Sequence, residues 1–523
     1  MKILKEMARG CEYEFSVNRY PPILPGIQLS DIIGRTILAL KNLGFISKVM
    51  WSVEDEIGNL TYERGLFDSW LFTEGPYEVA FNGMRIYDDA QHLEFSTPVF
   101  RSPIDAVVYD KVAERLAFLG IEQIRKTHGE VYCYKTNNSL LKGSYGYEAV
   151  AWGTHGCYCV DRRIFNFENW KNIEKILIPF IISRIPLIGS GGVLPIRNEF
   201  SFEPPTSSRL CGDKLVYVIS PRAIYIKQLS SIDTTVDRGF LNLRDEPHAN
   251  PNKYWRLHDI NLEAIRSDFQ IFIRDALEVF ILKATEEGLF KNLPIIKDPI
   301  NTIRKVSMNI NEIDQFIELE GNNKARLLSD IFSYYISIIE KLIESKGDNE
   351  DYKVFKVIES LIQKLKEGRF EYLNGALDWI AKMMLIEEYN AKDMDMVIIC
   401  NQYGLLDETT GFYEGRIEKG DSLFDPESSL IFIEETFPFI NSIKEKIKYG
   451  MINPPIDTRE YLRINILKEH ESEIIKMNWW KIYFKGGLIA LDEPLKYGKE
   501  ESEEFLKIKD LKKLSEIIRG EIK

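Results

Sequence analysis

Over the first 300 residues, short apolar and β-branched runs alternate with stretches whose apolar residues recur at helical spacing. The pattern predicts strands at residues 10–15, 84–87, 130–134, 155–160, 199–202, 214–219 and 223–229. It predicts helices at 30–43, opened by a Ser-Asp cap, and at 103–119, where DAVVYDKVAERLAFL lays apolar side chains along one face. Such alternation implies a mixed α+β domain built on a large sheet. From 310 to 388 the period becomes almost wholly helical, with Glu/Lys-rich exposed faces and a polar break at 347–351. A Gly/Asp/Pro/Ser-rich piece at 420–428 has the composition of a linker. Beyond it, residues 478–492 predict two short strands joined around Gly486-Gly487, followed by a charged C-terminal helix. The sequence shows no internal repeat.

Composition narrows the class. A chain of 523 residues divides into two to four domains by the usual size range and needs no disulfide or metal staple to fold. With 45% hydrophobic and 28% charged residues it is an ordinary globular sequence, which excludes disorder as the main state. A net charge of −13 argues against a generic nucleic-acid binder, because such binding rests on Lys and Arg neutralising phosphates. Six scattered cysteines do not make a secreted disulfide framework and point to the cytoplasm. The N-terminus lacks the apolar core of a signal peptide. The most apolar run, residues 176–188, is interrupted by Pro179, Arg184 and Pro186 and is shorter than the roughly 20 residues that span a bilayer. It reads as buried core of a soluble protein with no membrane role.

Three local patterns carry chemistry. In Glu12-Tyr13-Glu14, side chains at i and i+2 of a strand share a face about 6.6 Å apart. Two like charges there call for a cation, and Mg²⁺ bound through carboxylates and nucleotide phosphates suits them; a solvent-facing polar edge fits the tripeptide equally. Alternation in Arg85-Ile86-Tyr87-Asp88-Asp89 puts Arg85, Tyr87 and Asp89 in one row, followed by His92, Glu94 and Thr97. A cation, a phenol and a carboxylate so placed suit phosphate contact, metal contact and a general base or nucleophile, though a charged edge strand has the same look. The run from Arg244 to His258 places His248 and His258 within eleven residues, among Arg and acidic side chains too polar for core. A solvated loop is its bland reading. His155, Cys157 and Cys159 also alternate onto one strand face as soft-metal donors would, but with no fourth ligand the cysteines read as small packing residues.

The run TTVDRGFLNLRDEPHANPNKYWRLH at 234–258 resembles the signature of the Pup ligase and Pup deamidase/depupylase family. So do GCEYEF (10–15), NGMRIYDDAQHLEFSTP (82–98), SPIDAVVYDKVAERL (102–116), LDWIAKMMLIEEY (377–389), NQYGLLDETTGFY (401–413) and NPPIDTREYLR (453–463). These blocks occur in family order across nearly the whole chain. The resemblance implies a glutamine synthetase-like α+β fold: a large curved antiparallel sheet with flanking helices cradling ATP and Mg²⁺, over residues 1–425, and a small α/β domain over 430–523. Position by position it implies Glu12, Tyr87 and Glu94 as metal ligands, Arg85 and Thr97 as ATP contacts, and Asp89 as the catalytic aspartate. Trp479 in NWWKIYF matches a nucleotide-contacting tryptophan, with neighbouring Trp480 leaving the register open by one. Glu14, His155, Arg222, Arg238 and His248 fall on patterned positions around metal and phosphates.

Ligase and hydrolase share these residues. The ligase reaction passes through a phosphorylated carboxylate attacked by a substrate lysine; in the hydrolase the aspartate attacks the isopeptide bond or activates water. Depupylases resemble one another in a long insertion after the Glu-x-Glu strand. Here 67 residues separate Glu14 from Asn82, an insertion at about 44–81, and WSVEDEIGNLTYERGLFD at 51–68 looks like that loop. The expected activity is therefore ATP- and Mg²⁺-dependent isopeptide and amide hydrolysis on a Pup-like modifier and its lysine conjugates, in proteins destined for a bacterial-type proteasome. A ligase and a nucleotide-binding pseudoenzyme are the alternatives. Departures bear on the last: where the family has His-Glu-Asn-Tyr this chain reads His155-Gly156-Cys157-Tyr158, residues 139–150 add length before it, and after His258 the family's Gly-Asp-x-Asn is replaced by Asp259-Ile260-Asn261-Leu262.

Overall fold

A computed structural model of the chain describes residues 1–20, 29–53, 78–143, 146–197, 209–410 and 421–520. The fold is mixed α/β. Its main sheet, nine-stranded among the described residues, contains β1 (Arg9–Tyr20), β2 (Arg85–Asp89), β3 (His92–Ser96), β4 (Glu130–Tyr134), β5 (Thr154–Asp161), β6 (Gln228–Ser231), β7 (Gly239–Asn242), β8 (Tyr254–Leu262) and β9 (Leu405–Leu406). The strands run in the order β6-β7-β8-β5-β1-β3-β2, while β4 joins β1 and β9 joins β4. All pairings are antiparallel except β6 with β7.

The central strand β1 outruns the predicted 10–15 because it serves different neighbours along its length. Its first half pairs with β3 and β5, and Ser16 to Tyr20 pair with β4. Alternation along it buries Cys11, Tyr13, Phe15 and Val17 in the main core and leaves Glu12 and Glu14 on the opposite face. On the core side lie α1 (Leu29–Asn42), α2 (Pro103–His128) and α4 (Asp268–Glu286), with α3 (Trp170–Ser183) carrying the apolar 176–183 run into the same core. Helix α2 starts as its sequence predicts: Pro103 takes the first turn, and Ser102 accepts from the Asp105 amide at 3.2 Å. It continues past residue 119 because the apolar period persists through Ile121 and Ile124. Gly120 lets α1 come close, since a Cβ there would stand 2.6 Å from Thr36 Cγ2. At the entry to β1, the buried Arg9 guanidinium holds both Asp275 carboxylate oxygens, at 2.9 and 3.0 Å from Nε, and so fixes the strand to α4.

Some expectations change. Residues 223–229 are not one strand: Pro221, at φ −55° and ψ −39°, opens a 3₁₀ turn (Arg222–Tyr225) before β6 begins. The 310–388 region is interrupted by a hairpin of Phe316–Glu318 with Lys324–Arg326, turned by Gly321 and Asn322 at positive φ, and by one π-helical turn, Leu327–Phe332. The polar break at 347–351 is the boundary of two helices, where Asp348 caps α5 (Asn349–Lys366) and donates its own amide to the Asp351 carboxylate in return. Within the 421–428 piece, Asp425 caps α6 (Pro426–Thr436), and α6 buries Leu430 and Ile433 in the main core. The predicted strand at 199–202 and most of the 51–68 segment lie outside the described residues.

A second core gathers Val49, Trp51 and Val79 with residues between Leu462 and Leu514. It lies under a four-stranded sheet of Met50–Trp51, β10 (Ile474–Met477), β11 (Lys481–Phe484) and β12 (Gly487–Ala490). The predicted pair about Gly486 is β11 and β12; β10 adds a third strand, and the C-terminal helix is split into three short pieces, Lys499–Ser502, Phe505–Lys507 and Leu511–Ile518. The loop before β8 ties the two cores together, Asn250 bonding Asp492 through both main chain and side chain while Lys253 and Tyr254 reach Glu493. No helix among the described residues is long and apolar enough to cross a membrane.

Candidate functional site

The polar face of the sheet collects charges that alternation separated from the core. Across β1 and β5, Glu12 faces His155; across β1 and β3, Glu14 faces Glu94. The β2–β3 hairpin turns through Ala90 and Gln91, both at positive φ (47° and 71°), which is unusual for residues other than glycine or asparagine. That tight reversal leaves Asp89 at the hairpin tip opposite His92.

Two clusters result. In the first, one ligand atom each of Glu14, Asp89 and Glu94 lie within 4.8 Å of one another. Burial, with the charges of Asp89, Glu12 and Glu14, pushes the Glu94 carboxyl well above the usual range. Tyr87 donates its hydroxyl to Glu94 and sits 3.3 Å from Ser96 Oγ. Burial beside Glu94 and Glu12 holds that phenol protonated. Glu14 behaves oppositely: although burial opposes ionisation, His155, His92, Arg222 and the Gly153 amide, at 2.6 Å, draw its pKa down.

In the second cluster Arg256, from β8, donates to Glu12 at 2.8 Å and to Glu246 at 3.2 Å, and its Nη2 stands 3.0 Å from Cys157 Sγ. Burial opposes the ionisation of Glu12, yet its neighbours His258 and Arg256 hold the carboxyl well below its usual range. His258 is itself pushed down to about 3 by burial and by Arg256, so the standing counter-charge of Glu12 is Arg256. His155 bridges Glu12, at 3.1 Å from Nδ1, and Arg222, at 2.8 Å from Nε2.

Beside this cluster opens a small cleft of about 70 Å³. Glu12, Thr97, His248, Arg256, Arg459 and Trp479 line it. Thr97 Oγ1 accepts from the Cys11 amide at 2.9 Å, which ties the cleft wall to β1. Burial and the charges of Arg256 and Arg459 press His248 well below the usual imidazole value, keeping its ring neutral. Trp479 is braced edge-on by Trp51 at 4.8 Å, with Arg463 5.8 Å from its ring centre. Trp479, and not Trp480, lines the cleft.

Of the sequence-predicted residues, the fold thus brings Glu12, Thr97, His248 and Trp479 to one cleft and Glu14, Tyr87, Asp89 and Glu94 to one acidic group, with His155 and Arg222 linking Glu12 to Glu14. Arg85 lies at the edge, bonded to Glu78 at 2.6 Å and stacked over Tyr87 and Trp51. Arg238 is set apart, donating to the Ala151 and Thr234 carbonyls, and does not line the cleft. The sequence marked the run that holds Arg256 and His258 without giving either a role, and passed over Arg459. Arg459 had the weakest signal, one of two arginines in NPPIDTREYLR, yet it is fully buried with its Nε 3.7 Å from Glu460 Oε1.

The family described as Pup-ligase protein matches residues 52–483. A Pup deamidase/depupylase of Mycolicibacterium smegmatis is 26% identical over 418 residues, covering 78% of this chain and 75% of that protein. A depupylase of Acidothermus cellulolyticus is 26% identical over 419 residues, covering 77% and 74%. Among solved structures, the Pup ligase PafA in complex with Pup superimposes with a TM-score of 0.70 at 19% identity, covering all of this chain and 96% of that one. PafA in complex with ADP gives 0.64 at 19% identity, covering 94% and 95%.

Proposed function

This chain belongs to the Pup-ligase protein family, and from that premise we propose that it is an ATP- and Mg²⁺-dependent amide and isopeptide hydrolase acting on a Pup-like modifier and its lysine conjugates. One observation carries the reading: three carboxylates, Glu14, Asp89 and Glu94, converge within the electrostatic reach of Glu12, and Glu12 lines the cleft together with Arg256, Arg459, Thr97 and Trp479. Oxygen donors that repel one another fit a hard divalent cation. We assign Glu14 and Glu94 to hold Mg²⁺, with Glu12 and Tyr87 at its border and His155 and His248 orienting the carboxylates or the phosphates. Arg459, Arg256 and Thr97 would meet phosphate and sugar, and Trp479 the base. Arg85, Arg222 and Arg238 supply positive charge farther out. Bound Mg-ATP would supply charge neutralisation and a phosphate beside the scissile group.

Asp89 at the hairpin tip is the group we assign to attack the carbonyl or take a proton from water. It lies beside Glu94 and Glu14, so a cation held by those carboxylates would stand next to the attacking group. The same constellation serves a ligase, and the fold match to PafA favours that second reading. The relatives named depupylase, together with the 67 residues between Glu14 and Asn82, support the hydrolase. We also propose a catalytic domain through about residue 425, on whose core the helices to 447 pack, and a small C-terminal domain that supplies Trp479 and Arg459. All six cysteines are free, consistent with a cytoplasmic enzyme. Incubation with ATP and a Gln-ended modifier, followed by mass spectrometry, separates the readings. Deamidation and release of modifier from conjugates mark the hydrolase; ADP release with a new isopeptide bond marks the ligase; neither marks a pseudoenzyme.

A further inference from the structure

We propose that the hairpin of Asn138–Gly143 with Gly146–Ala151 is a docking edge for the substrate polypeptide: the extended C-terminal tail of the modifier, an occupant taken from the hydrolase reading above, pairs as an antiparallel strand with the outer edge of Asn138–Gly143. Residues 139–150, the length added to the family pattern, make up nearly all of this hairpin.

The hairpin is fixed on its inner side and open on its outer one. The Trp152 amide donates to the Asn137 carbonyl at 3.1 Å and closes the base. Tyr225 Oη donates to the Ala149 carbonyl at 3.0 Å, Arg238 Nη2 to the Ala151 carbonyl at 2.7 Å, and Asn138 Nδ2 to the Val193 carbonyl at 3.0 Å. Gly146–Ala151 pairs with Leu210–Gly212 on its far side, whereas no described strand lies along the outer edge of Asn138–Gly143. That edge has neither proline nor bulge to blunt it, and Leu141 stands 61% exposed on it. Lys142, exposed and without an ion pair among the described residues, opposes pairing with a second copy of the same edge and attracts an acidic tail. A regular, braced edge of this kind fits the addition of a peptide strand.

The register says which backbone groups are free. Because Asn137 and Trp152 are a bonded pair, Ser139, Leu141 and Gly143 bond inward, and Leu140 and Lys142 turn their N–H and C=O groups outward. The base of the hairpin abuts the acidic group: Trp152 packs against His92 with ring centres 4.7 Å apart, His92 faces Asp89 across the β2–β3 turn, and the Gly153 amide bonds Glu14. A tail lying on the edge with its terminal residue at that base runs opposite to Asn138–Gly143, the antiparallel sense, and presents its last side chain to the carboxylates.

The test titrates the full chain with a labelled peptide, the C-terminal tail of Pup ending in Gln, and follows its deamidation by mass spectrometry. On binding, the amides of Leu140 and Lys142 gain protection from hydrogen exchange. Lys142→Pro, which deletes one outward N–H and keeps the inward bonds, weakens binding and raises KM by about tenfold with kcat unchanged. Lys142→Ala keeps that N–H and shifts KM by less than about threefold. N-methylation of the peptide at alternate amides reproduces the loss and at the intervening amides does not, which tests the edge on the unaltered protein should Lys142→Pro fail to fold. Turnover with a KM unmoved by Lys142→Pro and by N-methylation at every position, or binding without protection of Leu140 and Lys142, overturns the docking edge and leaves the hydrolase reading standing. Binding with that protection but no turnover supports the edge and counts against the hydrolase; neither binding nor turnover overturns both.

Discussion

Glu14 and Glu94 are direct cross-strand partners on β1 and β3, two carboxylates set opposite each other on a sheet face with a third, Asp89, completing the group. Like charges so paired destabilise a sheet by about 0.2–1 kcal/mol. Their retention is understandable if a cation completes them, and this relationship sets the first prediction.

In protein free of divalent cations, Glu94 has its pKa raised by burial and by Asp89, Glu12 and Glu14. The folded state therefore holds a proton that the unfolded chain has lost, so Glu94 adds stability below the ordinary carboxylate pKa, and that contribution disappears as pH rises through its raised folded value. Glu14, with a lowered pKa, has the opposite sign: its contribution is present above the ordinary value and is lost as pH falls. Thermal melts should show Mg²⁺ stabilising the protein more at neutral than at mildly acid pH. Glu94→Gln should raise metal-free stability at neutral pH by roughly 0.2–1 kcal/mol and abolish most of the Mg²⁺ effect.

Asp89→Asn removes the charge assigned to attack or proton transfer while leaving the hairpin tip and the cleft intact. Cleavage of modifier conjugates should fall by about 10²–10⁴-fold, with nucleotide affinity changed little. Full cleavage by the variant in a gel assay with nucleotide binding intact would refute the assignment.

The two neighbouring tryptophans should separate cleanly. Trp479 lines the cleft and is braced by Trp51, whereas Trp480 does not line it. Trp479→Ala should weaken nucleotide binding in calorimetry by about 0.5–1.5 kcal/mol, the usual worth of an aromatic partner. Trp480→Ala should leave the affinity nearly unchanged.

Gly156 stands where the family resemblance implies a glutamate, and its surroundings leave no room for a side chain. A Cβ would come within 2.7 Å of Tyr158 Cε2 and 2.9 Å of Leu262 Cδ1, both in the packed interior. Its cross-strand partner Asp259 is paired with buried Arg184 at 2.6 Å. Gly156→Ala should cost about 1–3 kcal/mol by overpacking, read as a lower urea midpoint with an unchanged slope.

What the sequence by itself determined is the content of each face. Period-two alternation placed Glu12 with Glu14, and Arg85, Tyr87 and Asp89 together, while the period of 3.6 marked α1, α2 and the buried 176–183 run. These are local properties, because backbone geometry alone sends alternate side chains to opposite sides of a strand. Its motif blocks also carried the family, since they follow one another in order along the chain.

Only the tertiary structure decided which faces meet. Glu12 stands opposite His155 and within reach of Arg256, residues 143 and 244 positions away along the chain. No periodicity encodes that register, which long-range pairing of β1 with β5 and of β5 with β8 imposes. The same pairing divided one acidic tripeptide between two clusters, with Glu14 left among carboxylates and Glu12 neutralised by Arg256. It also delivered Arg459 and Trp479 to the cleft from the C-terminal core. Burial then set the protonation of Glu94, His248 and His258, because desolvation and neighbouring charges act through space and not along the chain.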